Sequence, residues 1–555
     1  MNDALTGTLS RLRQLLPTGA DWQAAKRAPR RDLLAGATVA IVALPLALAF
    51  GETSGLGAEA GIVTAVIAGA VAAIFGGSNL QVSGPTGAMT VVLVPVIHEF
   101  GASGVFLVGM LAGLVLIAMS FAGLGKYVKY LPMPVIEGFT AGIAVVIALQ
   151  QVPAMLGVPA GEAERVWAVA GEAFFDYLSD PGLAAPAVAI GVAALMLSGA
   201  RWKPGVPFSL VGVAVATMLG TWWVPGLDTL GAIPAGLPAP SFAFVDVGAI
   251  GALLPAILAV AALAALESLL SATVADGMSV NEQHDPEREL FGQGLANIAV
   301  PVFGGIPATA AIARTAVNVR AGASSKLAAL THSVALLLIV LVASSLVSKI
   351  PLAALAGVLL ATTIRMVEVG SLWALARSTR GDAAVLTLTF TITVVFDLVA
   401  AVVVGLGVAI VIALRSVSKS ASVEQVPLEP GDHSAEEHEL LSEHIVAYRL
   451  DGPLFFAAAH QFLLELTEVA DVRVLILRMS RISAIDATGA KVLGDVIAKL
   501  ENRGIVVLIS GISQGHDDVL EALGAGSHLR QNGRVFADTP SAIEYAKRIV
   551  LVSSG

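Results

Sequence analysis

The amino-acid sequence predicts a polytopic α-helical membrane protein with a small α/β domain at its C-terminal end. Of its 555 residues, 56% are hydrophobic and only 13% are charged, whereas a soluble domain carries about 25% charged residues. The mean hydropathy of +0.83 likewise indicates that most of the chain meets lipid. After Lys419 the composition turns polar and short strand and helix patterns alternate, which is typical of a soluble α/β domain.

Apolar runs follow one another from Asp32 to about Arg415 and are separated by short polar breaks. A membrane-spanning helix needs about 20 apolar residues, and runs near that length predict fourteen spans. We place them at residues 32–50, 58–76, 80–99, 103–123, 131–152, 183–200, 207–224, 250–274, 288–303, 306–321, 327–347, 351–366, 382–396 and 398–414.

The charges between these spans predict an even number of spans with both chain ends in the cytoplasm. Basic residues concentrate in the predicted inner loops and acidic residues in the predicted outer loops, which is the positive-inside bias. A single miscounted span would scramble this pattern. The protein is therefore predicted to be a multi-pass protein of the plasma (inner) membrane, in contact with the lipid bilayer.

The predicted organisation has four parts. A cytoplasmic segment at 1–31 precedes a membrane domain at 32–421, and an acidic linker at 422–443 leads to the α/β domain at 444–555. The predicted elements of that domain are a strand at His444–Leu450, a buried strand at Val472–Leu477, an amphipathic helix at Ala490–Leu500 and a buried strand at Ile505–Ile509.

Composition excludes several classes of function. The chain has no cysteine, so it has neither disulfides nor thiolate metal sites. Its net charge of −10 argues against nucleic acid as a partner. The membrane part contains no Ser/His/Asp set, phosphate loop or zinc-binding spacing, so the sequence predicts no enzyme, no metal site and no cofactor other than a coupling ion.

Two irregular stretches interrupt the apolar runs at corresponding places in the two halves. In Leu80–Thr90 and in Gly304–Arg314, a short extended piece leads into a helical run near a proline, and Pro307 follows Pro85 by 222 residues. Proline fixes φ and disfavours helix at the preceding residue, so each one breaks the chain. Seven spans in each half make the second repeat inverted relative to the first. Broken segments at matching places are the sequence pointer to a transporter's binding site.

Glu267 lies in the middle of the apolar run from Ile250 to Ala275. An ionisable group at that depth costs about 3 kcal/mol on insertion scales and marks a functional site by default. Glu267 is therefore predicted to couple transport to an ion, with the Ser271 hydroxyl nearby. The alternative is a structural carboxylate that locks two helices together.

The two helices that follow the breaks, starting near Thr86 and Ala308, predict an anion pocket between them. Helix N-termini present free N–H groups and the positive end of the dipole. Arg314 lies about one and a half turns into the second helix and adds a positive charge. The alternative for Arg314 is a snorkelling arginine near the inner surface, and His332 is predicted to lie at a helix end.

Asp486 and Thr488 follow a predicted buried strand in the C-terminal domain and open a helix. Both residues are good helix caps. Because phosphate is favoured at a helix start, the alternative prediction is a regulatory site for phosphorylation or for docking of a cytoplasmic partner.

Several motifs together resemble the SulP anion transporters, the sulfate-permease group that includes prestin. The resemblance covers nearly the whole chain from Asp32 onward. The motifs that carry it are Leu44–Ala49, Val82–Thr86, Leu266–Leu270, Phe291–Asn297 and Ala313–Asn318. The C-terminal part looks like a STAS domain, in which Asp486–Gly489 matches the segment that anti-sigma antagonists phosphorylate on the residue before the glycine.

This resemblance implies a uracil-permease-like fold of two inverted seven-span repeats with a cytoplasmic STAS domain. It also implies a core domain that moves like an elevator against a gate domain, usually within a homodimer. The substrate would lie between the third and tenth spans, where Thr86 matches a substrate-contacting position. Backbone N–H groups at Ala310, Ala311 and Ile312, with Arg314, would complete the anion site.

Two branches of the family look similar to this sequence. The sodium-dependent bicarbonate transporters share the runs at Ala49–Gly51, Gly57–Gly61 and Pro85–Val92, and the C4-dicarboxylate carriers share those at Ile312–Arg314 and Asn318–Ala323.

This chain departs from the sodium branch at the coupling positions. It has Glu267 in place of Asp, Ser271 in place of Thr, and Ala310–Ile312 in place of Gly-Ala-Thr. A glutamate with a nearby arginine looks more like the proton-coupled members. The sequence therefore predicts a secondary transporter of bicarbonate, sulfate or C4-dicarboxylate driven by H⁺ rather than Na⁺. A sodium–bicarbonate symporter, an uncoupled anion channel and a membrane-tethered signalling module are the alternatives.

Overall fold

The computed structural model describes residues 13–552. The exceptions within that range are 131, 162, 164, 204–205, 225, 280–281, 397, 420–421, 427–443, 455–471 and 523–526. The chain divides into two compact units, residues 1–406 and 407–555. Most of the predicted linker, residues 427–443, lies outside the described residues.

The first unit is almost entirely helical. Its helices are α1 (Gln23–Arg27), α2 (Pro29–Thr53), α3 (Ala58–Phe75), α4 (Gly87–Ala122), α5 (Met133–Gln150), α6 (Val152–Leu156), α7 (Val166–Ser179), α8 (Ala184–Trp202), α9 (Phe208–Trp222), α10 (Ile250–Met278), α11 (Pro286–Val302), α12 (Ile312–Arg320), α13 (Lys326–Val347), α14 (Leu352–Met366), α15 (Val369–Ser378) and α16 (Arg380–Val395). Helix α17 (Leu398–Lys419) begins in this unit and ends in the second. Two short strands, β1 (Ser83–Gly84) and β2 (Thr309–Ala310), interrupt the series.

Among the described residues, eight helices are long and apolar enough to cross a membrane. The polytopic helical fold is thereby confirmed, while the count of fourteen spans stays a prediction. The third and fourth predicted spans form one element, α4, with a kink at Gly101, where φ is 65°. Glycine tolerates positive φ at no steric cost, so the helix changes direction there without an intervening loop.

The helices of the first unit pack in two groups. The core group consists of α2, α3, α4, α10, α11, α12 and α13, in which α11 packs against α3 and α4, and α13 against α2 and α3. The gate group consists of α5, α8, α9, α14 and α16, in which α5 packs against α16 and α8 against α14. The core group carries both β1 and β2, so both broken stretches belong to one packed body.

Glycines allow close contact inside the core group. A Cβ placed on Gly292 of α11 would stand 2.5 Å from the Cα atom of Gly76 and 2.8 Å from the carbonyl carbon of Phe75. These neighbours are backbone atoms at the end of α3, and they cannot move aside as a side-chain tip can.

We therefore expect Gly292→Ala to destabilise the protein by about 1–3 kcal/mol, the usual cost of overpacking. A lowered midpoint of thermal unfolding in detergent would measure this effect. Gly191→Ala on α8 is the matched control, because no atom lies within 4 Å of its added Cβ and alanine favours helix. Equal midpoints for the two variants would contradict the prediction.

The segment before α2 docks on the core group through an ion pair. Arg288, in the first turn of α11, donates to both carboxylate oxygens of Asp21 at 2.8 and 2.7 Å. This guanidinium holds the pKa of Asp21 well below its usual range. Leu15 and Ala25, which flank Asp21 in the sequence, are buried. The predicted cytoplasmic segment therefore packs on the protein in this region.

A buried polar network lies at the same end of α11. Glu289 is 2% exposed and accepts from the N–H groups of Gly77 and Ser78 at 2.9 and 3.2 Å. Lys326, 1% exposed, donates from Nζ to the carbonyl of Gly76 at 2.5 Å. These contacts satisfy the backbone groups where α3 ends, which would otherwise be buried without partners.

The second unit contains a five-stranded sheet. Its strands lie in the order β3 (Ser422–Val426), β4 (Ile445–Leu454), β5 (Val474–Ile485), β6 (Val506–Ser510) and β7 (Val535–Phe536). The β3–β4 pair is antiparallel and the others are parallel. The helices of this unit are α18 (Ala487–Asn502), α19 (Gln514–Ala522), α20 (Ser527–Gln531) and α21 (Thr539–Val552).

Two apolar clusters cover the two faces of this sheet. Leu475, Leu477 and Val507 pack with residues of α18, whereas Ile476 and Leu508 pack with residues of α21. Successive strand residues point to opposite faces, which explains why both faces of β5 and β6 are apolar. The predicted α/β domain is confirmed, but five residues of the predicted linker form β3 and pair with β4.

Candidate functional site

The two broken stretches meet in the core group. Strand β1 pairs antiparallel with β2, with Ser83 opposite Ala310 and Gly84 opposite Thr309. Helix α4 begins directly after β1 and α12 directly after β2. The structure therefore brings together the stretches that the sequence predicts as the two halves of one site.

Both helices start without a side-chain cap. Thr86 and Ala311 precede α4 and α12 in extended conformation, and neither side chain bonds to the following turn. The first N–H groups of a helix have no partner within the helix. Two sets of such donors, together with two positive dipole ends, favour negative charge where β1 pairs with β2, a place we call the crossing.

The second half of the predicted anion site requires a correction. The N–H of Ala310 donates to Ser268 Oγ at 3.3 Å, and the N–H of Ala311 donates to the carbonyl of Val82 at 3.3 Å. Both donors are used to hold β2 in place, so neither is free for an anion in this conformation. The backbone N–H groups in the first turn of α12 that remain available to an anion begin with that of Ile312.

Glu267 of α10 lies beside the start of α4. Its Oε2 accepts a hydrogen bond of 3.0 Å from the Thr86 hydroxyl. One residue further along, the Ser268 hydroxyl is 2.9 Å from Thr309 Oγ1. Helix α10 thus contacts both halves of the crossing, and Glu267 is the acidic group at the point of contact.

Ser271 is hydrogen-bonded to α12 and not to Glu267. Its hydroxyl donates to Thr315 Oγ1 at 3.1 Å, and the same Thr315 oxygen accepts from the N–H of Val82 at 3.2 Å. Ser271 therefore stabilises the packing of α10, α12 and β1. Its predicted role in ion coupling stays a prediction.

Arg314 is buried next to strand β1 of the crossing. It is 2% exposed, and none of its three guanidinium nitrogens has a hydrogen-bond partner. A Cβ placed on Gly84 would stand 3.0 Å from Arg314 Nη1, so the guanidinium packs directly over β1. This burial excludes the snorkelling alternative. By contrast, Arg320 at the end of α12 is exposed.

Several amides that the sequence did not single out hold the crossing in place. Asn297 donates to the carbonyl of Ala308 and accepts from its N–H, both at 2.8 Å. Gln293 Nε2 donates to Ser83 Oγ at 2.6 Å, and Asn318 Nδ2 donates to the carbonyl of Leu80 at 2.7 Å. Buried non-helical backbone in a membrane protein needs such partners. A buried amide next to a predicted chain break is the signal that could have revealed them.

The position of His332 also requires a correction. Helix α13 begins at Lys326, which places His332 in its second turn rather than at its end, and the side chain is 0% exposed. Neither ring nitrogen has a hydrogen-bond partner. The ring lies inside the core group.

A cavity of about 990 Å³ lies between the core and gate groups. Polar residues from both groups line it, including Glu52, His98, Gln150 and Asp228. Neither Thr86 nor Glu267 lines the cavity. Its lining includes the end of α2 from the core group and the start of α14 from the gate group.

In the second unit, Asp486 caps α18. Its Oδ1 accepts from the N–H of Gly489 at 2.7 Å, as the predicted cap requires. Thr488 lies in the first turn and is exposed. A Cβ on Gly489 would overlap the carbonyl of Leu454, so this position requires glycine. The predicted regulatory role of Asp486 and Thr488 stays a prediction.

Comparison with known proteins identifies the family. The model of the sulfate permease family matches residues 30–389, which is more than half of the chain. The chain belongs to the sulfate permease family. The STAS domain model matches residues 440–542, which confirms the nature of the second unit. Relatives in this family are named as transporters of anions.

Two curated relatives match most of the chain. The "Putative sulfate transporter YvdB" of Bacillus subtilis is 35% identical over 510 residues, which cover 89% of this chain and 94% of the relative. The bicarbonate transporter BicA of a Picosynechococcus species is 32% identical over 508 residues, which cover 87% and 88%.

Two solved structures share the fold. The transmembrane domain of a cyanobacterium bicarbonate transporter BicA matches with a TM-score of 0.63 at 32% identity, covering 68% of this chain and 98% of that chain. SLC26A9 matches with a TM-score of 0.84 at 16% identity, covering 99% and 95%. The second likeness concerns the fold alone. This member of the sulfate permease family therefore has an SLC26-like membrane fold with a C-terminal STAS domain.

Proposed function

We propose that this protein is a secondary active transporter of small anions, with bicarbonate, sulfate and C4-dicarboxylates as candidates, and that protons drive uptake. The observation that carries the proposal is the antiparallel crossing of β1 and β2, from which two uncapped helices start beside Glu267 and Arg314. Free N–H groups, dipole ends and a buried guanidinium all favour an anion at one place.

Charge balance supports coupling to protons. Glu267 is bonded to Thr86, and Arg314 packs over Gly84 two residues earlier, so the ionised carboxylate balances part of the guanidinium charge. When Glu267 binds a proton, its carboxyl group no longer balances the guanidinium charge. A bound anion can then balance that charge instead. Burying an uncompensated charge is costly, so loading the anion and loading the proton favour each other.

The packing of the first unit supports an elevator mechanism. The crossing, α10 and α12 belong to the core group, and the cavity lies between the core and gate groups. Movement of the core group against the gate group would carry the whole site across the membrane without breaking the β1–β2 pair. We place both termini and the STAS domain in the cytoplasm, and we propose a homodimer in the plasma membrane.

Uptake into proteoliposomes tests the proposal. Radiolabelled bicarbonate, sulfate, fumarate and succinate are each offered with an inward proton gradient, an inward sodium gradient or neither. We expect saturable uptake of at least one anion and accumulation that requires both the protein and the proton gradient, because protein-free liposomes take up bicarbonate label only as CO₂. Accumulation driven by sodium alone would favour sodium–bicarbonate symport, and uptake that never exceeds equilibrium would favour an uncoupled channel. Either result would contradict proton coupling.

A further inference from the structure

The proposed mechanism leaves His332 of α13 unused, although it is a buried polar group without a partner. Its side chain is 0% exposed, and neither Nδ1 nor Nε2 has a hydrogen bond. Leaving a buried donor or acceptor unpaired costs about 1–3 kcal/mol. Such a group in a folded protein calls for an explanation, and a bound ion or water is one of the usual ones.

Arg314 and His332 lie on the same face of α3. The Arg314 guanidinium packs against Gly84 at a point 3.3 Å from the Cα atom of Ala65. His332 Nδ1 lies 3.5 Å from the point where a Cβ on Gly69 would stand. Residues four apart on a helix are neighbours on one face, so both side chains pack near the same face of α3.

Neither side chain is bonded to a carboxylate. Among the described residues, the buried carboxylates of the core group already have other donors: Glu267 has Thr86, Glu289 has two backbone N–H groups, and Asp32 has the N–H and hydroxyl of Ser324.

The other charged groups near α13 are engaged elsewhere. Asp32 on α2 is bonded to Ser324, and Lys326 on α13 itself is bonded to the carbonyl of Gly76. Glu52 and Glu59 lie near the other ends of α2 and α3. Three guanidinium nitrogens and two ring nitrogens therefore share one buried region with one positive charge and no bonded counter-charge.

We propose that Arg314 and His332 together bind a small monovalent oxyanion behind the β1–β2 crossing, with His332 as a neutral imidazole ligand. The inference rests on the proposed function and extends the anion site to a residue on α13. It assigns to His332 a direct contact with the transported anion.

The chemistry of the two side chains selects the class of anion. A guanidinium offers a planar fork of donors that suits the oxygens of an oxyanion. A neutral imidazole has one donor and one acceptor nitrogen, so it can bond an anion that also carries an O–H, as bicarbonate does. One guanidinium balances one negative charge. A dianion such as sulfate would leave a buried charge uncompensated, at high cost.

The test compares wild-type protein with two His332 variants in proteoliposomes. His332→Phe removes both ring nitrogens, whereas His332→Gln keeps a donor and an acceptor. A hydrogen bond to a charged group contributes about 1.5–3 kcal/mol, so we expect the KM for bicarbonate to rise at least about tenfold in His332→Phe. In His332→Gln it should stay within about threefold of wild type. Wild-type KM for sulfate should exceed that for bicarbonate.

Controls separate binding from folding. Thr331→Val on the same helix removes a hydroxyl that is satisfied by the carbonyl of Leu327 at 2.6 Å, and it should leave KM unchanged. Thermal unfolding of each variant reports stability. A normal KM in His332→Phe, an equal rise in Thr331→Val, or tighter binding of sulfate than of bicarbonate would overturn the inference. Wild-type vesicles that take up none of the tested anions would instead overturn the proposed function, and the inference with it.

Discussion

Replacing Glu267 with glutamine is expected to abolish proton-driven accumulation of the anion while downhill anion exchange persists. Glutamine has nearly the same size and can still bond the Thr86 hydroxyl, which lies 3.0 Å from the carboxylate, but it cannot bind or release a proton. Each pH unit is equivalent to 1.36 kcal/mol. A gradient of about two pH units can therefore accumulate a monoanion carried with one proton about 100-fold, and this ratio should fall to about one in Glu267→Gln.

The measurement is the steady-state ratio of labelled anion inside and outside proteoliposomes, with and without an imposed pH gradient. Glu289→Gln is the matched control, since Glu289 is also a buried glutamate but bonds to backbone N–H groups where α3 ends. It should lower the thermal unfolding midpoint and keep proton-driven accumulation. Accumulation by Glu267→Gln at the wild-type ratio would exclude Glu267 as the proton carrier.

Replacing Arg314 with glutamine is expected to raise the KM for the transported anion about 100-fold. Two hydrogen bonds from a charged donor contribute about 1.5 kcal/mol or more each, and every 1.4 kcal/mol is a factor of ten in affinity. Arg314→Lys keeps the charge but lacks the planar fork, so we expect an intermediate rise of about tenfold.

The rates of uptake at varied anion concentration provide this measurement. Arg320→Gln is the control on the same helix, because Arg320 is exposed whereas Arg314 is buried. We expect its KM to match that of wild type. If Arg314→Gln lowered only the maximal rate and left KM unchanged, Arg314 would act in the movement of the core group and not in anion binding.

The sequence identified the charged residue and the chain breaks of the candidate site, but not the contacts that hold them. Glu267 and the two proline breaks stand out because a charge or a proline inside an apolar run is costly. The pairing of Ser83 with Ala310 could not be read from the sequence, because two-residue strands carry no periodic pattern. The same is true of the N–H groups of Ala310 and Ala311, whose use in the crossing depends on Ser268 and Val82.

His332, Gln293 and Asn297 show a second limit. Neither α11 nor α13 has its apolar residues gathered strongly on one face, so hydrophobic periodicity does not say which side faces the protein and which faces lipid. Their importance becomes clear only when α3, α11 and α13 are packed together. The single element α4 shows a third limit, since a glycine with positive φ can redirect a helix without the polar loop that normally marks a boundary.

The β1–β2 pair also constrains the order of events during biosynthesis. Its two strands are 226 residues apart, counted from Ser83 to Thr309. A ribosome adds about 5–20 residues per second, so β1 waits roughly 10–45 s for its partner. During that time the backbone groups of Ser83 and Gly84 lack the partners they have in the finished protein, and unpaired backbone is unfavourable in lipid. The β1–β2 pair therefore cannot form until the chain has been made as far as β2, when most of the first repeat already exists.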